Sequence, residues 1–139
     1  MKTLSPYLTF AGNCCQAMEF YQSCFGGELH IMPFAGTTVA EQVPAELRQG
    51  VLHAQLTTGT QVLMASDQGA AGPVTPGNAV ALSLDCSSEA EINTLFARLS
   101  EGGTVVDPLA DMFWGRFGSV TDRFGMHWLL NLSPAGQEH

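Results

Sequence analysis

Basic residues are scarce in this chain. Its 139 residues hold five Lys plus Arg against 13 Asp plus Glu, a formal net charge of −8 at pH 7. A surface of that sign repels phosphate backbones and anionic headgroups, so neither nucleic acid nor a membrane is expected as a partner. Charged residues of both signs make up only 13%, while 45% are hydrophobic, a balance that excludes a disordered chain. No run of about 18 apolar residues is present, and no signal-type apolar segment follows Met1-Lys2-Thr3-Leu4, so a cytoplasmic location is expected. Cys14, Cys15, Cys24 and Cys86 have no zinc-knuckle, CxxC or disulfide-framework spacing and read as reduced packing residues. There is no G-x-S-x-G elbow, P-loop or H-E-x-x-H. Cys14 is the cysteine best placed for activation at a helix start, and no His partner for it can be identified.

What the chain does contain is an internal repeat. Asn13 with Gln16 reads as a helix cap, followed by Ala17, Phe20, Tyr21 and Cys24 at i, i+3, i+4, i+7 and a stop at Gly26-Gly27. Later, Ser88 with Glu91 reads as the same capping box, followed by Ile92, Leu95, Phe96 and Leu99 at the same spacing and a stop at Gly102-Gly103. Each helix follows a strand, Leu4 to Phe10 and Ala79 to Asp85. Three strands follow each helix: Glu28 to Phe34, Val51 to Thr58 and Gln61 to Ser66 in the first half; Thr104 to Asp107, Phe117 to Thr121 and His127 to Leu132 in the second. Asp122 to Gly125 is a turn in which Asp caps the backbone and Gly takes positive φ. Residues 35–50 interrupt the first half as a lid or surface loop, with a helical turn near Ala45 to Arg48.

The expected fold class is therefore α+β, two βαβββ modules over residues 1–67 and 78–135, joined by a Gly/Pro-rich connector at 68–77 into one domain, residues 1–139. One helix covers one face of each sheet. The two bare faces would curve around a cavity where their residues are small or polar.

This architecture resembles the vicinal oxygen chelate superfamily, which includes glyoxalase I, bleomycin-resistance proteins, fosfomycin-resistance enzymes and extradiol dioxygenases. Ser5 to Cys14, Phe20-Tyr21, His53-Ala54, Phe113-Trp114, and Val120 to Gly125 with Trp128 resemble its PhnB-like branch. Some members of that branch are labelled 3-demethylubiquinone-9 3-methyltransferase, yet this chain lacks a glycine-rich βα turn with an acidic partner for S-adenosylmethionine. The resemblance implies four metal-ligand positions, on the first and last strands of each module. Here those positions carry Pro6, or Tyr7 if shifted by one, with Met64, Ala79 and Leu129. None suits a divalent ion as the family's His, Gln or Glu does, so no cofactor is expected, with a divalent metal as the lesser alternative.

Counting alternation from these positions directs His53, Gln55, Val62, Met64 and Ser66 into the cavity from the first module. From the second it directs Ala79, Ala81, Ser83, His127, Leu129 and Asn131. The complementary set meets the helices: Leu52, Ala54, Leu56, Leu63, Ala65, Val80, Leu82, Leu84, Trp128, Leu130 and Leu132. The methionines read as adaptable packing, with Met64 alone lining the pocket. His30 reads as a strand-surface residue and His139 as a terminal one. Trp114 would stack on a ligand at the cavity mouth while Arg116 binds an anionic group. The candidate ligand-binding residues are thus His53, Gln55, Met64, Trp114, Arg116, His127 and Asn131. The preferred function is metal-independent binding of a small molecule by a homodimer. The alternative is a metal-dependent glyoxalase- or dioxygenase-type lyase or isomerase with ligands relocated to His53, His127 and Asp107 or Asp111. A structural dimer with a vestigial pocket is the third.

Overall fold

A computed structural model of the chain describes residues 1–69 and 72–134, with Glu46 described by its backbone only. The expectations for the connector at Ala70 and Ala71, for the module end at Ala135 and for His139 lie outside the described residues. The chain divides into two compact units, Met1–Thr75 and Pro76–His139.

The first unit runs β1 (Tyr7–Phe10), α1 (Cys14–Phe25), β2 (Glu28–Pro33), β3 (Val51–Thr58) and β4 (Gln61–Asp67), with short 3-10 turns at Ala40–Gln42 and Ala45–Leu47 between β2 and β3. Its sheet order is β1-β4-β3-β2, in which β1 and β4 are parallel and the other pairs antiparallel. The second unit runs β5 (Leu82–Asp85), α2 (Glu89–Ser100), β6 (Thr104–Met112), β7 (Gly115–Thr121) and β8 (His127–Leu132). Its order, β5-β8-β7-β6, reproduces the first sheet pair by pair. The βαβββ repeat expected from the sequence is present in both units.

The helix-facing stripes are where the energy lies, because each fully buried aliphatic side chain contributes about 1.5–3 kcal/mol. Ala54, Leu56, Leu63 and Ala65 are buried in the first unit, and Trp128 and Leu130 in the second. Leu52 departs from that phase: Met32 pairs with His53 but Pro33 with Val51, so Leu52 occupies a bulge and Val51 takes the buried place. On α1 the buried stripe is Cys14, Ala17, Met18, Tyr21 and Cys24. Met18 therefore belongs to the helical register, contrary to expectation, and Phe20 is only half-buried. On α2, Ile92 and Leu99 are buried, while Leu95 and Phe96 are half-buried. The Phe96 ring lies against Gly118 of β7, where a Cβ would come within 2.6 Å of it; only glycine permits that approach.

Several strand limits differ from the sequence reading. β1 begins at Tyr7 rather than Leu4, and Leu4 is exposed. β5 begins at Leu82 rather than Ala79, so Ala79, Val80 and Ala81 stand outside the sheet, with Val80 exposed. β6 continues past Asp107 to Met112. It carries Pro108 through a register shift between Asp107 and Ala110, on an edge strand where a missing N–H costs no ladder bond. β7 begins at Gly115, β2 ends at Pro33, and β4 extends to Asp67.

The helix starts differ from each other. Ser88 caps α2 as expected: its side chain accepts from Glu91 N at 3.1 Å, and Glu91 accepts from Ser87 N at 2.8 Å. Asn13 makes no side-chain cap bond. The cap of α1 comes instead from buried Asp67, whose Oδ1 accepts from Gly12 N at 2.8 Å and Cys14 N at 3.0 Å. A full carboxylate satisfies those amides better than a neutral Asn and matches the positive end of the helix dipole.

Candidate functional site

In the first unit, strand alternation places three candidate residues on the sheet face away from α1. His53 and Gln55 on β3 and Met64 on β4 are half-buried, whereas their neighbours Ala54, Leu56, Leu63 and Ala65 point at the helix and are buried. Register completes a row across that face: Tyr7 pairs with Met64, Met64 with Gln55, and Gln55 with His30. The hydroxyl of Tyr7 lies 3.0 Å from His53 Nδ1, and the two rings are 5.7 Å apart. The sequence reading named Tyr7 only as a shifted metal position and missed this partnership; the alternation that brings Tyr7 to the His53 face is legible once β1 is paired with β4.

In the second unit His127 and Arg116 are held by residues of their own unit. His127 Nε2 donates to the carbonyl of Gly77 at 2.6 Å, and its Nδ1 stands 2.9 Å from Thr121 Oγ1. A carbonyl only accepts, so Nε2 carries the proton of the neutral ring and Nδ1 accepts from the threonine. Arg116 Nη1 pairs with Asp111 at 3.2 Å, leaving Arg116 Nε buried without a partner among the described residues. Asn131 is half-buried and pairs with Phe117 in the ladder. Trp114, with Phe113, forms the tip of the β6-β7 hairpin. Phe113 is 97% exposed, and the Trp114 ring meets Phe117 edge-on at 6.0 Å.

The donor set does not fit a divalent ion. Pro6 and Met64 meet through a backbone bond from Met64 N to Pro6 O at 3.2 Å, offering a ring carbon and a thioether. Leu129 pairs with Ser83, not with Ala79, which stands outside β5. Among the described residues, no three His, Cys, Asp or Glu side chains are grouped as metal ligands. The acids named for a relocated site are committed within the second unit: Asp111 to Arg116, and Asp107 to the hydroxyl of Ser119 at 2.6 Å.

Nor are Cys14, Cys15 and Cys86 activated thiols. None of the four cysteines forms a disulfide. Burial, with Asp67 adding to it, pushes the Cys14 thiol up to about 12. Burial likewise pushes Cys86 up to about 11, and the hydrogen bond from Cys15 to Glu19 raises that thiol too. Nucleophilic cysteines need the opposite shift. Asp122 serves its turn as expected: Oδ1 accepts from Phe124 N at 2.8 Å and Met126 N at 3.1 Å, Oδ2 accepts from Trp128 Nε1 at 2.8 Å, and Gly125 takes φ 89°.

Comparison with known proteins places this geometry. Residues 2–131 match the family described as 3-demethylubiquinone-9 3-methyltransferase. Protein YjdN of Escherichia coli (strain K12) is 32% identical, over 93% of this chain and 94% of its own. Among solved structures, protein PA1353 from Pseudomonas aeruginosa is 38% identical with a TM-score of 0.86, covering 96% of this chain and 98% of that one. The PhnB protein from Bacillus cereus is 28% identical with a TM-score of 0.76, covering 95% and 100%. A glyoxylase/bleomycin resistance protein/dioxygenase domain from Frankia sp. EAN1pec, 16% identical with a TM-score of 0.69 over 100% of this chain and 96% of that one, shares the fold.

Proposed function

From the premise that the chain belongs to the family described as 3-demethylubiquinone-9 3-methyltransferase, with the glyoxalase/bleomycin-resistance fold, we propose that it is a metal-independent small-molecule binding protein of the PhnB-like kind. The observation that carries this reading is the row on the open face of the first sheet. His53, Gln55 and Met64 are half-buried there, side by side, mixing hydrogen-bonding and soft apolar groups on a rigid strand pair. The second unit carries its own proposed ligand contacts, Trp114, Arg116, His127 and Asn131. Of these, Arg116 offers an anionic group the guanidinium N–H groups its Asp111 pair leaves over, whereas both ring nitrogens of His127 are engaged, so it supplies no donor.

The chemistry in the family's description does not suit these residues. S-adenosylmethionine needs free donors and room at a βα turn. In the β1-α1 turn the amides of Gly12 and Cys14 are taken by Asp67, and in the β5-α2 turn those of Ser87 and Glu91 are taken by Glu91 and Ser88.

We place the protein as a cytoplasmic homodimer forming one domain from its two modules. No described helix is long and apolar enough to cross a membrane. Val105, Val106 and Met112 on edge strand β6, with Phe113 beside them, are exposed apolar side chains of the kind a second protomer covers. A thermal-shift screen against small aromatic and anionic metabolites tests the binding reading: a saturable rise in Tm that is lost in His53→Ala is expected. No rise beyond a degree or two across a broad library overturns it. So does a stoichiometric divalent ion, in protein purified without chelator, that is lost in a His53→Ala plus His127→Ala variant.

A further inference from the structure

Tyr7 stands at the start of β1, 48% exposed, with its ring tilted by 42° to that of His53 and its hydroxyl 3.0 Å from Nδ1. Residues 46 positions apart meet because β1 pairs with β4 and β4 with β3, which sets Tyr7, Met64 and Gln55 in one row. His53 lies two positions from Gln55 on the same strand and so shares its face. A phenol is a stronger donor than an imidazole N–H, and an imidazole nitrogen a stronger acceptor than a phenol oxygen. The hydroxyl therefore donates to Nδ1, and the proton of the neutral ring resides on Nε2. Among the described residues nothing receives that Nε2–H. Beside it, the Gln55 amide nitrogen is 3.5 Å from Thr57 Oγ1, at the limit of a hydrogen bond, and so remains open to a better partner.

We propose that Tyr7 and His53 form a positioned donor pair, in which Tyr7 fixes the imidazole tautomer and His53 Nε2–H binds an acceptor oxygen, carbonyl or carboxylate, of a small ligand with a flat hydrophobic body. The half-exposed Tyr7 ring and the Met64 thioether supply apolar surface next to the donor, and Gln55 offers a second polar contact. His53 is the binding residue and Tyr7 the positioning residue. The inference rests on the small-molecule reading above and deepens it by naming the chemical class.

The test is nitrogen-15 NMR of the histidine rings in the full chain, with three probes of one shape: benzoate, benzamide and benzylamine. Free protein is expected to show His53 protonated at Nε2. Benzoate or benzamide should then move the His53 ring signals saturably, while benzylamine, which has no acceptor oxygen, leaves them in place. The stronger of the first two tells a carboxylate from a neutral carbonyl. Tyr7→Phe should weaken that probe about fivefold, the worth of one modest hydrogen bond, and His53→Ala should abolish binding. An Nδ1–H tautomer, an undiminished affinity in Tyr7→Phe, an equal response to benzylamine, or no response to any probe each overturns the inference. Should a metabolite raise Tm while the His53 signals stay still, the binding reading stands and this inference alone falls. With neither response, both fall.

Discussion

The two units share a topology strand for strand, yet they spend their polar side chains differently. In the second unit most polar groups singled out from the sequence are stitched into their own unit: His127 to Gly77 and Thr121, Arg116 to Asp111, Asp107 to Ser119. In the first unit the buried polar work is concentrated in one residue, Asp67, and the open face keeps His53, Gln55 and Met64 with little internal commitment. A duplicated backbone thus carries one half whose polar groups hold structure and one half whose polar groups are chemically available. The comparison can be broken most forcefully at the two buried aspartates.

Asp67 accepts from Gly12 N, Cys14 N and, through Oδ2, Val51 N at 2.9 Å, tying together a helix start and two strands that are far apart in sequence. Asp122 accepts from Phe124 N, Met126 N and Trp128 Nε1, all within six residues of itself. Asp67→Ala should cost about 3 kcal/mol, from two or more charge-assisted bonds with a helix cap among them, and lower Tm by about 10 °C. Asp122→Ala should cost less, because a broken turn relaxes locally. Asp67→Asn should restore little, since its amide NH2 would face an N–H donor at one oxygen site. Urea unfolding of the three variants checks the order, and a larger loss for Asp122→Ala would remove the distinction between the units.

The histidines provide the next contrast. His127→Ala removes two hydrogen bonds and should cost about 2 kcal/mol. His53→Ala removes one exposed bond to Tyr7 and should leave stability within about 0.5 kcal/mol of the parent while abolishing the ligand response. Equal losses in the two variants would mean that His53 is as structural as His127.

Which of these roles could be read from sequence follows from the distance over which each is specified. The repeat, the helix spans and the turn at Asp122 are local or periodic patterns, and the apolar stripe of Ala54, Leu56, Leu63 and Ala65 declared its face by alternation. Asp67 and Tyr7 escaped because their partners stand 53 and 46 residues away. A signal for Asp67 did exist: it continues the 63, 65, 67 phase, placing a carboxylate on an otherwise apolar face, where burial demands donors. The limits of β5 and β6 escaped because Ala79 to Ala81 continue the apolar pattern of a strand but precede the ladder, which begins at Leu82, and Pro108 hides a continuing edge strand behind an apparent stop.

The cysteines sharpen the comparison at alkaline pH. A thiol held above its ordinary 9.0 in the fold keeps its proton while the unfolded chain loses it, so stability is full below pH 9 and falls as pH rises. One pH unit beyond that value costs about 1.4 kcal/mol per thiol. Cys86 in the second unit should stop contributing near pH 11, and Cys14 in the first near pH 12. Urea unfolding between pH 8 and pH 10.5 should show a smaller decline for Cys14→Ala and for Cys86→Ala than for the parent. An unchanged decline in both would show that the thiols titrate normally.

The smallest expected difference lies at the two helix starts, and it separates a cap made by the local side chain from one made at long range. Ser88 accepts from Glu91 N, so Ser88→Ala should cost about 1 kcal/mol. Asn13 occupies the equivalent place on α1 but makes no side-chain cap bond, because the Cys14 amide is already satisfied by Asp67. Asn13→Ala should therefore change stability by less than about 0.5 kcal/mol. In an Asp67→Ala background the situation inverts: with the carboxylate gone, the Asn13 side chain becomes the nearest acceptor, and its removal should then cost measurably more than in the parent. A double-mutant cycle between Asn13 and Asp67 reads this directly. Strict additivity would show that Asn13 plays no part in holding α1 under either condition.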